Sequence, residues 1–205
     1  MKPRYWDRAK RELARNDPLL GVIIARYPRI HLVSRGDPFQ TLARSIVGQQ
    51  ISVRAAQAVW QRLAAAVPEM APQPVLALDR NALRGCGLSE RKCEYIADLA
   101  RHFADGTVQV SRWPSMSDEE LIGELVEVRG IGRWTAEMFL IFNLLRPDVL
   151  PVDDLGLQRA VSLSYRAGRS VSETAIRRIA RDWQPWRSVA TWYLWRSLDP
   201  VPVEY

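Results

Sequence analysis

A glycine-rich string between two apolar segments has the composition of an anion-binding turn. It reads Gly-Ile-Gly-Arg-Trp-Thr-Ala, begins at Gly130 and lies within residues 121–146. Gly130 and Gly132 allow a tight turn and the close approach of a phosphate. The amides at the start of the next helix attract an anion, and Arg133 adds a positive charge. A glycine that only ends a helix would explain Gly130 but not the whole string. The pattern therefore predicts two helices joined by a phosphate-binding hairpin.

Few residues are available for covalent or metal chemistry. The chain has three lysines, Lys2, Lys10 and Lys92. A Schiff-base nucleophile would have to be one of these, and all are far from the string in the sequence. Cys86 and Cys93 are too few for a disulfide framework or a four-thiolate cluster, so we interpret them as small, partly buried residues. His31 and His102 have no companions at ligand spacing, and no role is assigned to them.

Size and charge bound the class of protein. The chain has 205 residues, enough for one domain or two small lobes with a buried core. A net charge of +6 and a pI of about 9.7 favour a polyanionic partner, although a basic surface alone would give the same balance. The apolar run at 19–24 is far too short for a membrane span, and the first residues lack a signal-peptide core. We therefore expect a cytoplasmic protein without membrane contact.

Helix start signals recur along the chain. Asp17 and Asp37 each precede a proline, which is the pattern of an N-cap and a first helical residue. Ser52 and Ser89 precede amphipathic segments. Capping-box spacing occurs twice, in Ser117 with Glu120 and in Ser170 with Glu173.

These signals predict an all-α protein of about ten or more helices. The best strand candidate, Thr107–Val110, is too short to build a sheet. We expect N-terminal helices over 1–36 that pack with a C-terminal lobe at 131–205, and a central helical lobe over 37–130.

Three separated segments resemble one enzyme family. The Gly130 string is followed by Pro-Val-Asp-Asp-Leu-Gly-Leu at 151–157, and together they resemble helix-hairpin-helix DNA glycosylases, in which a carboxylate follows the hairpin. Segments 38–52 and 183–188 are similar to the alkylation-repair branch, 3-methyladenine DNA glycosylase II. The resemblance covers about 37–199 and implies a two-lobed fold with the active site in the cleft between the lobes.

The resemblance implies an enzyme that flips alkylated purines out of double-stranded DNA and hydrolyses the N-glycosidic bond, leaving an abasic site. A purine alkylated at a ring nitrogen, such as 3-methyladenine or 7-methylguanine, is cationic and leaves easily, so one carboxylate suffices. Relatives that also cut the strand carry a lysine where this chain has Trp134, so we expect no lyase activity. Two alternatives stay open: a non-catalytic DNA-binding protein, and a glycosylase for another lesion such as a deaminated base.

By resemblance, Asp154 is the catalytic residue, near the start of a helix that begins around Asp153. Asp153 is expected to be the N-cap of that helix or a partner that tunes Asp154. The alternative that both residues merely cap a helix is kept.

An aromatic slot is expected for the flipped cationic base. Trp134 and Trp195 align with pocket residues of the family, and Trp192 and Tyr193 are less certain neighbours. Met138 stands where relatives have a tyrosine, so one wall would be soft. Three tryptophans are also interpretable as core residues: Trp183, Trp186 and Trp192.

The resemblance also implies the DNA-contacting residues. Gln50, with Gln49 as runner-up, would be the wedge that fills the gap left by the flipped nucleotide, unless both are simply exposed loop residues. Phosphate would bind at the hairpin, at Gly130, Gly132, Arg133 and Thr135.

No cofactor is expected to be required, and two cysteines exclude the iron-sulfur cluster of some relatives. The resemblance permits a monovalent cation on the carbonyls of Val126, Val128 and Gly130. We expect a monomer of the compact form, without the N-terminal sheet domain of larger bacterial relatives.

Overall fold

Every regular element in the part of the chain that the computed structural model describes, residues 2–199, is a helix. The α-helices are Trp6–Asn16 (α1), Pro18–Arg26 (α2), Pro38–Gly48 (α3), Val53–Ala66 (α4), Pro72–Leu76 (α5), Arg80–Gly85 (α6), Glu90–Ala104 (α7), Asp118–Val126 (α8), Arg133–Phe142 (α9), Leu155–Arg166 (α10), Glu173–Ile179 (α11) and Arg187–Leu198 (α12). A short 3-10 helix covers Val110–Ser115. The predicted all-α class is confirmed. Within 2–199 no helix is both long and apolar enough to cross a membrane.

Short polar side chains begin five of these helices as the sequence predicts. The N-caps of α2, α3, α4, α7 and α8 are Asp17, Asp37, Ser52, Ser89 and Ser117, and each side chain accepts a hydrogen bond from a first-turn amide. The capping box of Ser117 and Glu120 is complete, because Glu120 also accepts from the Ser117 amide. Local chemistry thus decides where these helices start.

One local prediction is wrong, and the one strand candidate does not form a strand. Ser172, not Ser170, is the N-cap of α11, because its Oγ lies 3.3 Å from the Ala175 amide at the third helical position. The Thr107–Val110 segment is not a strand, since the Asp105 carboxylate accepts bonds from the amide and hydroxyl of Thr107 and forms a local turn instead.

The chain divides into two compact units. One, here called the terminal unit, runs to Ser34 and resumes at Leu140; the other, the central unit, spans Arg35–Phe139. The division therefore falls inside α9, between Phe139 and Leu140, and not at residue 130. As a result the whole hairpin, including the start of α9, belongs to the central unit.

The central unit is built around α7, which packs against α3, α5 and α6. Its fully buried side chains include Leu42, Ile46, Ile96, Leu99 and Leu121. Because Ile96 and Leu99 sit in the core, α7 is held rigidly and can position the side chains on its other faces.

The terminal unit is built around α12, which packs against α1, α2 and α10. All seven residues from Ser188 to Leu194 are buried. The α2 cap Asp17 also accepts hydrogen bonds from Tyr165 Oη at 2.6 Å and Trp183 Nε1 at 3.0 Å. These bonds join the start of α2 to α10 and to the turn before α12. The direct packing of α12 on α10 then places Trp195 near the start of α10.

Candidate active site

A buried carboxylate stands at the N-terminus of α10. Asp154 is 8% exposed, and its Oδ1 accepts hydrogen bonds from the Leu157 amide at 2.6 Å and from Trp195 Nε1 at 2.7 Å. The helix dipole favours a negative charge at this position. Asp154 is therefore held in one orientation as an anion that can stabilise positive charge brought next to it.

The expectation that Asp153 caps the helix is wrong. The helix begins at Leu155, and Asp154 is itself the N-cap, whereas Asp153 is exposed. The reason is geometric. Asp154 stands three residues before Leu157, so its side chain reaches the Leu157 amide and accepts a hydrogen bond from it. Asp154 thus carries both the capping and the candidate catalytic role.

Gly156 allows Trp195 to approach Asp154. A β-carbon on Gly156 would lie 3.0 Å from Asp154 Oδ1 and 3.1 Å from Trp195 Nε1. Real side chains rarely pack so closely, so any larger residue would press on the indole or on the carboxylate. Sequence reasoning missed this role, although a glycine two residues after the acidic pair was the available signal.

Trp195 also stacks on Phe142, with ring centroids 5.6 Å apart and planes 14° from parallel. Both rings are half-buried. Phe142 was not singled out from the sequence because it ends the apolar segment that reads as core. An aromatic pair next to a carboxylate is suited to a planar, cationic group.

The other expected pocket residues are placed less uniformly. Trp192 is 6% exposed and packs edge to face on Trp6 and Tyr193, which supports its interpretation as a core residue. Trp134 and Met138 lie four residues apart on one face of α9, with Trp134 42% exposed and Met138 half-buried. A pocket role for these residues stays a prediction.

The hairpin turns at Gly130, whose φ is +84°. A methyl group there would overlap the ring of Tyr95, so both conformation and packing require glycine. Gly132 differs, since it is exposed, lies outside the left-handed region, and has open space where a β-carbon would stand. The fold itself gives no reason for glycine at Gly132, which leaves room for another molecule near the α9 amides.

Arg133 is engaged by two carboxylates. Its Nη1 and Nη2 donate to Glu119 at 2.9 and 2.5 Å, and its Nε donates to Glu137 at 3.1 Å. The hydrogen bonds to Glu119 raise the pKa of Arg133 further above its ordinary value. A phosphate would have to compete with Glu119 for this guanidinium, which the sequence did not reveal. The neighbouring Thr135 is half-buried.

The two wedge candidates differ in environment. Gln49 is half-buried, and its Nε2 donates to the Gly130 carbonyl at 2.7 Å. Gln50 is exposed and has a φ of +58°, in the left-handed region.

Two of the hairpin carbonyls that were expected to bind a cation already accept hydrogen bonds. The Val128 carbonyl accepts from the Ile131 amide, and the Gly130 carbonyl accepts from Gln49 Nε2. Each oxygen keeps a second lone pair, so the cation stays a prediction.

The hairpin and Asp154 both fall within a segment that matches a known protein family. Residues 43–186 match the family model described as HhH-GPD superfamily base excision DNA repair protein. The chain belongs to the HhH-GPD superfamily. The matched segment ends before Trp195.

Several HhH-GPD relatives carry names that match the resemblance seen in the sequence. The putative DNA-3-methyladenine glycosylase YfjP of Bacillus subtilis is 31% identical over 188 residues, 88% of this chain and 66% of that protein. DNA-3-methyladenine glycosylase 1 of Schizosaccharomyces pombe is 30% identical over 179 residues, 85% of this chain and 78% of that protein. The chain thus spans slightly less than two thirds of YfjP.

Solved HhH-GPD structures confirm the fold. The crystal structure of DNA-3-methyladenine glycosidase from Bacillus halodurans aligns with a TM-score of 0.88 at 33% identity, over 93% of this chain and 89% of that chain. The Schizosaccharomyces pombe 3-methyladenine DNA glycosylase in complex with abasic DNA aligns with a TM-score of 0.79 at 28% identity, over 93% and 96%.

Proposed function

We propose that the protein is a DNA glycosylase that removes alkylated purines from double-stranded DNA by hydrolysing the N-glycosidic bond. The observation that carries this proposal is Asp154, a buried carboxylate held by Leu157 and Trp195 in a chain of the base excision repair superfamily. The names of the relatives, DNA-3-methyladenine glycosylases, support the substrate class.

The chemistry needs little more than this carboxylate. An alkylated purine carries positive charge and leaves with its bonding electrons, so the deoxyribose becomes oxocarbenium-like. Asp154 stabilises that charge and orients the water that attacks the sugar. The stacked pair of Trp195 and Phe142 is suited to the cationic base before it leaves. No step in this scheme requires a cofactor.

DNA binding is proposed at the hairpin. Gly132 has no side chain with which to cap α9, whereas Asp and Ser side chains cap α3, α4, α7 and α8. A phosphate oxygen accepting from the first amides of α9 would take the place of such a cap. Support comes from the Schizosaccharomyces pombe relative, whose structure contains abasic DNA.

We further propose that the enzyme is monofunctional and acts as a monomer. Trp134 occupies the position of the lyase lysine, and the chain's lysines are otherwise engaged: Lys2 with Asp7, Lys10 with the Pro28 carbonyl, and Lys92 with the carbonyls of Val47 and Gln49. Strand cleavage through a Schiff base therefore has no evident nucleophile.

The proposal is tested by incubating the protein with duplexes that carry one defined lesion. Released base and broken strand are measured separately. The expected result is free 3-methyladenine or 7-methylguanine and a strand that breaks only after heat or alkali. A non-catalytic DNA-binding protein would bind the duplex and release no base. A covalent complex trapped by borohydride would contradict the monofunctional part alone.

A further inference from the structure

Three side chains on successive turns of α7 contact the two loops assigned to DNA. Lys92 hydrogen-bonds to the Gln49 carbonyl and Asp98 to the Arg129 amide, and the ring of Tyr95, between them on α7, lies against Gly130. We call Lys92, Tyr95 and Asp98 the α7 clasp. The loop at 49–52 is called the wedge loop, and the loop at 127–132 the hairpin loop.

Lys92 caps the C-terminal end of α3 from outside that helix. Its Nζ donates to the carbonyl of Val47, in the last turn of α3, and to that of Gln49, both at 2.7 Å. The last carbonyls of a helix have no partner within the helix, and a cation there also meets the negative end of the helix dipole. Burial lowers the pKa of Lys92, in keeping with an ammonium group taken partly out of water.

The residue directly after this cap is strained. Gln50 has a φ of +58°, a conformation that costs free energy in any residue with a β-carbon. Such a conformation persists only where surrounding contacts hold it. Here the contacts are the two bonds from Lys92 to the preceding backbone. They fix the backbone from which the exposed Gln50 side chain projects.

Asp98 holds the hairpin loop in the same way. It is 7% exposed, and its Oδ2 accepts a hydrogen bond from the Arg129 amide at 3.0 Å. Arg101 donates to Oδ1 at 2.7 Å, and His102 Nε2 lies 3.6 Å from Oδ2. Arg101, on the same helix, therefore holds the carboxylate while it binds the loop.

The two loops are also tied to each other. Gln49 Nε2 donates to the Gly130 carbonyl at 2.7 Å, so the wedge loop bonds directly to the turn of the hairpin. The bonds from Lys92 and Asp98 and the bond between the loops join α7, the wedge loop and the hairpin loop into one hydrogen-bonded group within the central unit. A phosphate bound at the hairpin loop would then set the distance of Gln50 from the DNA backbone.

We propose that Lys92 and Asp98 are positioning residues for base flipping, which lock the wedge loop and the hairpin loop together so that Gln50 enters the duplex at a set distance from the bound phosphate. The proposal rests on the proposed glycosylase function and on Gln50 as the wedge. Neither residue touches the reacting atoms. Each acts through Gln50, so its loss should matter most when a base must be forced out of a paired stack.

The experiment compares two substrates with Lys92→Met, which keeps the length of the side chain and removes its donors. One duplex carries 7-methylguanine opposite cytosine, and the other carries it opposite a tetrahydrofuran abasic analogue, where no partner base resists extrusion. We expect the single-turnover excision rate to fall about tenfold or more on the first and less than about threefold on the second, since a charged hydrogen-bond donor is lost from the loop. Lys10→Met is the matched control, because Lys10 also donates to a backbone carbonyl, that of Pro28, but in the terminal unit.

A double-mutant cycle separates positioning from general support of the fold. In a Gln50→Gly background, Lys92→Met should add little further loss on the paired lesion, because the group it positions is gone. Equal losses on both substrates, additive losses in the cycle, or parental rates for Lys92→Met would each overturn the proposal. If Lys92→Met does not fold, Asp98→Asn is tested in the same two substrates and the same cycle.

A readout without excision keeps this inference distinct from the proposed function. 2-Aminopurine next to a 7-methylguanine that is paired with cytosine brightens when the stack opens, whether or not a base is released. If the parental protein releases no base, the glycosylase function fails, and the fluorescence still decides. Opening by the parental protein and its loss in Lys92→Met would support the clasp, whereas equal brightening in both would overturn it.

Discussion

At the residue scale, Asp154 unites a structural and a chemical role that substitution can separate. Asparagine is as good an N-cap as aspartate, so Asp154→Asn should keep α10 capped through Leu157. It offers no negative charge to an oxocarbenium-like sugar. We expect the single-turnover excision rate to fall at least about a hundredfold, with DNA affinity and melting temperature nearly unchanged.

Asp153→Asn is the matched control, because it removes the same charge from an exposed neighbour that caps nothing. It should excise 3-methyladenine at close to the parental rate. Parental excision by a folded Asp154→Asn protein would show that Asp154 is not the catalytic carboxylate.

Gly156 offers a second test of the same site. In Gly156→Ala the new methyl group would lie 3.0–3.1 Å from Asp154 Oδ1 and Trp195, so the indole must move by a few tenths of an ångström. We expect excision to slow by about tenfold, because small misplacements at a reacting centre are costly. Gly123→Ala, on α8 with no heavy atom within 4 Å of its β-carbon, should leave excision intact and stabilise the helix. An unchanged excision rate in Gly156→Ala would show that the close contact between Trp195 and Asp154 is not needed for catalysis.

Gln50 is expected to lower the stability of the fold while its side chain supports excision. Gln50→Gly relieves left-handed strain of about 1–2 kcal/mol at an entropic cost of about 0.5–1 kcal/mol, so the melting temperature should rise by about 2 °C. Excision from a paired lesion should nevertheless fall, because the wedge is lost. Ala167→Gly, at a φ of +51° after α10, should give the same stability gain and full excision. Parental excision by Gln50→Gly would show that Gln50 is not the wedge.

At the element scale, the hairpin contains one glycine that the fold requires and one that it does not. Gly132→Val puts a side chain into open space, so the protein should fold normally. It should lose affinity for duplex DNA by a similar factor on all sequences, since it blocks a phosphate and not a base. Fluorescence anisotropy with two unrelated duplexes measures this. Gly123→Val is the matched control, because Gly123 also has open space at its β-carbon and, unlike Gly36 with its φ of +87°, lies outside the left-handed region.

Elements that are set by neighbours in the sequence were predictable, and contacts between distant residues were not. The N-caps at Asp37 and Ser117 follow from residues within one turn, and the hairpin was found from its own string. The bond from Lys92 to Val47 joins residues 45 positions apart, and no local pattern encodes it. Ser170 and Ser172 are both serines that could cap α11, and the capping-box spacing predicted Ser170, whereas the N-cap is Ser172.

The candidate site divides in the same way. The resemblance pointed to Asp154 and Trp195, because motifs preserve the order of residue types along a chain. It did not show that Trp195 donates to Asp154 across 41 positions, nor that Gly156 makes room for this bond. Those facts depend on the packing of α12 against α10.

At the scale of the whole molecule, the net charge of +6 is larger than the positive charge that the hairpin itself presents to DNA phosphates. Arg133 is already paired with two carboxylates, Glu119 and Glu137, so little of its positive charge is left for a phosphate. Basic residues elsewhere must therefore supply most of the attraction for phosphate. Glu119, which is 71% exposed, limits the contribution of Arg133.

Removing Glu119 should consequently strengthen DNA binding. In Glu119→Gln, Arg133 loses its principal partner and can turn to a phosphate, so duplex affinity should rise and the slope of log affinity against log salt should steepen by about one. Glu173→Gln is the matched control, because Glu173 is also exposed and pairs with an arginine, Arg177, on α11. The two variants gain the same net charge. If both steepen the salt dependence equally, the effect belongs to the overall charge of the protein; if only Glu119→Gln does so, Arg133 binds phosphate at the hairpin once it is released.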